Sequence, residues 1–135
     1  MGAQGMLVLD GSVGVKWFKD EPGREAALEI LTESANGNVT VAVPTHFIHE
    51  VLSVVRRSRS ATGVIPVWED MLQAGITVVP LTDEVIREAA RQCSALGCTF
   101  YDALAPACAT LLSATLVSAD SRAHARYPGV RLIKE

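Results

Sequence analysis

The stretch from Met6 to Ser12, MLVLDGS, decides how the chain is expected to fold. Its first four residues form a short apolar run that is typical of a buried β-strand, and the run ends in an acid, Asp10. Short apolar runs of the same kind recur along the chain, and each is followed or preceded by a helical pattern. They predict further strands at 39–43, 76–80, 115–119 and 130–133.

Helical patterns fill the intervals between these runs. Segment 45–58 places its apolar residues on one broad arc at about 100° per residue. Segment 83–96 has two acids in its first turn and Gly97 at its end. Further helices are predicted at about 12–18, 22–35 (opened by Pro22), 61–74 (interrupted by Gly63 and Pro66) and 99–113. This alternation indicates an α/β layer structure with a mainly parallel sheet of about five strands.

Composition limits the class of protein. The 135 residues are 49% hydrophobic and 20% charged, which predicts a single globular domain over 1–135 and excludes disordered, collagen-like and coiled-coil chains. The formal charge of −3 means that any contact with nucleic acid must be local. Three cysteines without a CxxC motif favour reduced thiols over a zinc site. No stretch resembles a signal peptide or a membrane span, so we expect a soluble, cytoplasmic protein with no membrane partner.

Four acids are the candidate functional residues. Asp10 and Asp120 each follow a predicted strand, and Glu50 and Asp102 fall in the first turns of predicted helices. In parallel α/β sheets these positions meet at one edge, where ligands bind. Converging carboxylates repel, and a divalent cation relieves the repulsion; oxygen ligands favour Mg²⁺ or Mn²⁺. Such an ion activates water and neutralises phosphate charge, which predicts metal-assisted hydrolysis of a phosphate ester.

Each acid also has an ordinary structural interpretation, which the sequence leaves open. Asp10 precedes a helix that it can cap, and Asp120 can form a turn or a cap. Asp102 follows Thr99 by three residues, as in a capping box. Glu50 can be a solvated residue at the border of its helix. The functional prediction therefore depends on the set of four rather than on any one member.

Other polar residues are weaker candidates. His46 and His49 flank Glu50, but without a third nitrogen or sulfur ligand at suitable spacing a metal role is not favoured. Ser12 can bind Asp10 or a metal-bound water, or simply cap a helix, and Ser118 has the same ambiguity. His124 is expected on the surface. Arg56, Arg57 and Arg59 form a cluster at a helix end that is more often solvated, and a contact with phosphate stays open. Trp17 and Phe18 are expected in the core or at an interface.

Four stretches resemble, in order, the motifs of bacterial PIN domains. They are VLDGSVGVKWF at 8–18, HEVL at 49–52, YDAL at 101–104 and LVSADSR at 116–122. The resemblance implies a three-layer α/β/α fold and a Mg²⁺- or Mn²⁺-dependent endoribonuclease, often the VapC-type toxin of a type II toxin–antitoxin pair. It implies that the metal is held by Asp10, Glu50, Asp102 and Asp120, with the Ser12 hydroxyl beside the first acid. An RNA substrate, a homodimer and an antitoxin peptide in the cleft are implied as well.

Two positions depart from the PIN pattern. Gly11 stands where a small residue such as Ala or Thr is usual, and we expect this to be harmless. Ala105-Pro106 replaces a bulkier apolar pair, which puts the geometry near Asp102 in question, since proline has no N–H.

Two alternatives from other classes are kept. One is a non-catalytic PIN-like binding module whose acids are structural caps. The other is a phospho-transfer domain, which ranks low because Asp10 is followed by Gly11 and Ser12 rather than by a second acid.

Overall fold

Parallel strands form the central sheet of the computed structural model, which describes residues 5–135. The described strands are β1 Met6–Leu9, β2 Thr40–Pro44, β3 Thr77–Val79, β4 Thr115–Ser118 and β5 Arg131–Leu132. They lie in the order β3-β2-β1-β4-β5, and each neighbouring pair is parallel. The prediction of a parallel sheet of about five strands is confirmed, with β1 at its centre.

Helices connect the strands, close to the predicted positions. They are α1 Gly11–Gly14, α2 Arg24–Ala35, α3 Thr45–Ser58, α4 Val64–Gln73, α5 Asp83–Leu96, α6 Phe100–Leu112 and α7 Ser121–His124, with 3₁₀ segments at Val15–Phe18 and Ala61–Gly63. Two prolines act differently from the prediction. Pro22 lies outside α2, because Gly23 turns the chain at a φ of 86° before the helix begins. Pro66 does not interrupt α4, because it lies in the first turn, where its missing N–H has no helical partner to lose.

The two faces of the sheet are covered by different helices. Successive strand residues point to opposite sides. One side packs against α1 to α4 through Leu7, Leu9, Val41, Val43 and Val117, which meet Val13, Phe47, Val51 and Val67. The other side packs against α5 and α6 through Val8, Ala42 and Leu116, which meet Ala89, Leu104 and Ala107. Parallel sheets are typically buried on both faces in this way, and the α/β/α layering is confirmed.

The carboxyl ends of the strands bring the predicted acids to one edge of the sheet. Asp10 lies between β1 and α1, and Asp120 lies between β4 and α7. Glu50 is in the second turn of α3, which begins directly after β2, and Asp102 is in the first turn of α6. Ligands of parallel α/β folds bind at this edge.

Within residues 5–135 no single helix is long and apolar enough to cross a membrane. Helices α5 and α6 reach the necessary length and hydropathy only when taken together, and they are bent by 111° with respect to each other.

Candidate active site

Asp10 is buried at the end of the central strand. Its Oδ2 accepts the backbone N–H of Ser12 at 3.1 Å and so caps α1, and its Oδ1 lies 3.8 Å from Nε2 of His46. Burial acts to raise the pKa of this carboxyl group. Interactions with His46 and Ser12 and the charge of His124 outweigh burial, so the pKa of Asp10 lies below its ordinary value. Asp10 is therefore both a helix cap and a stable anion.

Glu50 faces Asp10 from α3. Its Oε1 lies 3.6 Å from Nε2 of His46, and its carboxylate lies over Gly11, in the space that a Cβ at Gly11 would need. The pKa of Glu50 is raised by burial and by the negative charges of Asp10 and Asp102, partly opposed by His46. The negative charges of Asp10 and Asp102 therefore both act on Glu50. Gly11 leaves room for the Glu50 carboxylate, which the sequence did not predict.

His46 fills the space between Asp10 and Glu50. Its ring is 4% exposed, and Nδ1 has no hydrogen-bond partner within the described part of the chain. The ring meets that of Tyr101 in a T-shaped arrangement, with the two centroids 4.5 Å apart. The sequence did not favour a metal role for His46. Its position four residues before Glu50, on the same face of a helix, was the available signal.

Asp102 links two parts of the site. Its charge acts on Glu50, and its side chain lines a second groove together with Asp120, Cys98 and Arg122. Oδ1 of Asp120 accepts the backbone N–H of Ala123 at 3.1 Å and so caps α7. The site thus contains Asp10 and Glu50 on one side and Asp102 and Asp120 on the other.

Hydroxyl groups and a buried imidazole hold the loops of the site together. Oγ of Ser12 accepts the backbone N–H of Ala119 at 3.0 Å, which ties the end of β1 to the end of β4. Oγ of Ser118 accepts the N–H of Asp120 at 2.9 Å and lies 2.7 Å from Nδ1 of His124. Nε2 of His124 lies 2.7 Å from the backbone oxygen of Asp102. The prediction of a surface position for His124 is wrong: the ring is fully buried because both nitrogens have partners inside the protein.

The arginine cluster at the end of α3 separates into different environments. The guanidinium of Arg59 stacks over the ring of Phe18, 5.3 Å from its centroid. Arg57 lines a groove that also contains Glu50, and both Arg56 and Arg57 line a neighbouring apolar depression. The expected structural role of Trp17 is confirmed, since it is buried and its indole N–H donates to the carbonyl of Ala27 at 2.9 Å.

The donor atoms of the site suit a hard cation, although they do not form a finished cage. Among residues 5–135, no three His, Cys, Asp or Glu side chains are arranged as a ready metal-ligand cluster. The chemistry of the set still fits a divalent ion, because it consists of carboxylate oxygens and because Glu50 lies against two negative charges with a raised pKa. A cation bound beside Glu50 would remove the repulsion that raises this pKa.

Comparison with known proteins agrees with the fold. A model of the PIN domain family matches residues 7–130. No curated protein sequence matches the chain.

Several solved structures share the fold. A toxin–antitoxin complex from Klebsiella pneumoniae has a TM-score of 0.73 at 15% identity, covering 93% of this chain and 95% of that chain. DNA-bound VapBC from Salmonella typhimurium has a TM-score of 0.71 at 15% identity, covering 97% and 98%. VapC20 from Mycobacterium tuberculosis, described as a sarcin–ricin loop cleaving toxin, has a TM-score of 0.66 at 14% identity, covering 93% and 98%. At these identities the likeness shows the fold alone, whereas the family model covers most of the sequence. The chain belongs to the PIN domain family.

Proposed function

We propose that this protein is a divalent-metal-dependent endoribonuclease that hydrolyses RNA phosphodiester bonds. One observation supports this most strongly: at the carboxyl edge of a parallel sheet the carboxylates of Asp10 and Glu50 lie 3.8 and 3.6 Å from the same atom, Nε2 of His46. Burial and the charges of Asp10 and Asp102 raise the pKa of Glu50 there. Carboxylates held against one another at a ligand-binding edge are suited to bind a cation.

The proposed ligands of the ion are Asp10, Glu50, Asp102 and Asp120, and the proposed ion is Mg²⁺ or Mn²⁺. When bound, such an ion supplies an activated water and neutralises the charge of the phosphodiester. Asp10 is suited to hold a cation because its lowered pKa keeps it ionised. Glu50 is suited to accept the proton of the attacking water, because its partly exposed carboxylate lies at the same edge of the sheet as Asp10. The water oxygen bonds to phosphorus as the bond to the leaving oxygen breaks.

Ser12 completes the proposed catalytic set. Its Oγ accepts the N–H of Ala119, and its hydroxyl interacts with the Asp10 carboxylate, so it lies beside a proposed metal ligand. The same hydrogen bond fixes the distance between the loops that carry Asp10 and Asp120. Ser12 would therefore orient the site as well as contact its ligand.

The biological role that we propose is that of a toxin in a type II toxin–antitoxin pair. Structures of this fold include proteins described as toxin–antitoxin complexes, which supports a cognate antitoxin as the protein partner. A homodimer and a cytoplasmic location belong to the same proposal. Induced expression is expected to arrest growth, and the Asp10→Asn variant is expected to leave growth unaffected.

RNA cleavage with purified protein tests the proposal. With Mg²⁺ or Mn²⁺, Asp10→Asn and Asp102→Asn are each expected to lower cleavage by at least about 100-fold. Asp83→Asn is the matched control, since this exposed acid lies on α5 in an ion pair with Arg87. Chelation by EDTA should abolish cleavage. Equal activity in the wild type and both site variants would refute the proposal.

A non-catalytic binding module is the second candidate. Asp10 and Asp120 do cap α1 and α7, and the described residues contain no finished metal cluster, both of which favour this alternative. Calorimetry separates the two candidates, because a module of this kind would show no binding heat with millimolar Mg²⁺ or Mn²⁺. Since asparagine caps helices as well as aspartate does, the Asn variants would then be indistinguishable from the wild type in assays of RNA cleavage and metal binding.

A further inference from the structure

A basic groove leads away from Glu50 along α3. It lies between α3, Lys19 and the first turn of α6. We call it the Lys19–Arg57 groove. Its polar and aromatic lining consists of Lys19, His49, Glu50, Ser53, Arg57 and Tyr101. Because Glu50 and Tyr101 belong to both the groove and the candidate active site, the two are continuous.

Two cations of this groove are available to a ligand. Lys19 and Arg57 are exposed, and none of the ion pairs formed within residues 5–135 engages either of them. Among the described residues that line the groove, Glu50 is the one acid. It lies at the end of the groove next to Asp10. In a chain with a net charge of −3, such a local positive surface is where an anionic polymer would bind.

The spacing along α3 suits a polymer that extends from the acids. His49, Ser53 and Arg57 follow one another at intervals of four residues and so share a helix face. Glu50 and Arg57 are separated by about 10 Å along the helix axis, which is about the rise of three stacked nucleotides. A strand cleaved beside Glu50 would therefore reach Arg57 a few nucleotides away.

Tyr101 lies where the groove meets the acids. Its side chain is 48% exposed, and its ring packs by an edge contact on His46. An exposed aromatic ring beside a basic groove is the arrangement that binds single-stranded nucleic acid, since every base can stack on it.

We propose that the Lys19–Arg57 groove binds single-stranded RNA on one side of the cleavage site, with Lys19 and Arg57 contacting phosphates and Tyr101 stacking on a base. The proposal rests on the proposed nuclease function and adds the path of its substrate. Lys19 and Arg57 bind the ground state and the transition state alike, so they are expected to act on KM and not on kcat.

Fluorescence anisotropy tests the groove directly. The probe is a labelled single-stranded RNA of about 12 nucleotides, titrated in EDTA at several salt concentrations so that no cleavage occurs. The test variant is the double substitution Lys19→Gln/Arg57→Gln. The control is Arg56→Gln/Arg131→Gln, which removes the same charge from exposed positions outside the groove. Thermal melting of each variant checks that the fold is kept.

The groove variant is expected to raise Kd by about tenfold and to reduce the slope of log K against log salt by about 1.4, because two phosphate contacts are lost. The control variant should keep the wild-type slope. Tyr101→Phe should bind like the wild type, whereas Tyr101→Leu should bind about tenfold more weakly, since it loses the stacking surface. In cleavage assays with metal, the groove variant should raise KM and leave kcat unchanged.

Failure of this inference differs from failure of the proposed function. If Asp10→Asn abolishes cleavage while the groove and control variants bind RNA alike, the nuclease stands and the groove assignment is overturned. If the wild type neither binds nor cleaves RNA, both are overturned. If a polyglutamate peptide displaces the RNA at equal concentration and with the same dependence on Lys19 and Arg57, the groove binds acidic peptides and the RNA assignment is wrong.

Discussion

Nε2 of His124 lies 2.7 Å from the backbone oxygen of Asp102, and this contact replaces a hydrogen bond that α6 cannot form. In a regular helix the oxygen of residue 102 accepts the N–H of residue 106. Pro106 has no N–H and lies inside α6. The departure from the PIN pattern at Pro106 therefore coincides with a buried histidine that supplies the missing donor.

The same imidazole connects two of the candidate acids. A carbonyl oxygen only accepts, so Nε2 of His124 carries a proton, while Nδ1 forms a hydrogen bond with the Ser118 hydroxyl. Oγ of Ser118 in turn accepts the N–H of Asp120. Hydrogen bonds thus run without a break from the backbone of Asp102 to the backbone of Asp120. We infer that His124 sets the relative position of these two acids.

Two substitutions of His124 test whether its hydrogen bonds are what holds the site together. A glutamine amide presents a donor and an acceptor about as far apart as the two ring nitrogens, so His124→Gln is expected to retain metal affinity. His124→Ala leaves the backbone oxygen of Asp102 without its donor, removes one of the two partners of Ser118 Oγ and opens a cavity, so it is expected to cost about 2–4 kcal/mol of unfolding free energy. Urea unfolding and calorimetric titration with Mn²⁺ measure the two effects. If both variants bind metal equally poorly, the hydrogen bonds are not what matters.

Pro106 and His124 should be energetically coupled. Pro106→Ala restores an N–H that can donate to the oxygen of Asp102, so it should recover part of the stability lost in His124→Ala. A double-mutant cycle in urea unfolding is expected to give a coupling energy of about 1 kcal/mol. Strictly additive effects would show that the histidine does not compensate for the proline.

Glu50 is predicted to destabilise the metal-free protein at neutral pH. Its pKa is raised in the folded state, from the ordinary 4.5, so its contribution to stability is full at low pH and is lost as the pH rises through the folded pKa. Glu50→Gln should therefore raise the melting temperature at pH 7 in EDTA and flatten the decline in stability above pH 4.5. Added Mn²⁺ should stabilise the wild type and have little effect on this variant. A lower melting temperature for Glu50→Gln in EDTA would contradict the assignment.

Asp10 is predicted to behave in the opposite way. Its pKa is lowered in the folded state from the ordinary 3.8, so it contributes stability above that value and loses it as the pH falls through the folded pKa. Asp10→Asn keeps a capping side chain but removes the charge, and should lower the unfolding free energy at pH 7 by about 1 kcal/mol. The exposed Asp83→Asn is the control. A stabilising effect of Asp10→Asn would mean that repulsion from Glu50 dominates at Asp10 as well.

Local patterns were sufficient to predict the frame of the fold. The apolar run of β1, the amphipathic arc of 45–58 and the capped segment 83–96 depend on residues close together in sequence, and their bounds agree with the structure. The edge position of Asp10 followed from the same local pattern, because a buried parallel strand must end at the ligand-binding side.

Residues that depend on distant partners could not be predicted in this way. The burial of His124 results from the oxygen that Pro106 leaves without its helical partner, and these residues lie on separate helices. The position of His46 between two acids depends on how α3 packs on the loop after β1. The contact of the Glu50 carboxylate with Gly11 likewise joins residues that are far apart in sequence, so it could not be predicted from a local pattern.

Anomalous diffraction from crystals soaked in Mn²⁺ shows whether the four acids hold a cation. We expect one strong manganese peak bounded by the carboxylates of Asp10, Glu50 and Asp102, and no such peak in Asp10→Asn crystals. A peak elsewhere on the molecule, or no peak at millimolar Mn²⁺, would contradict this expectation.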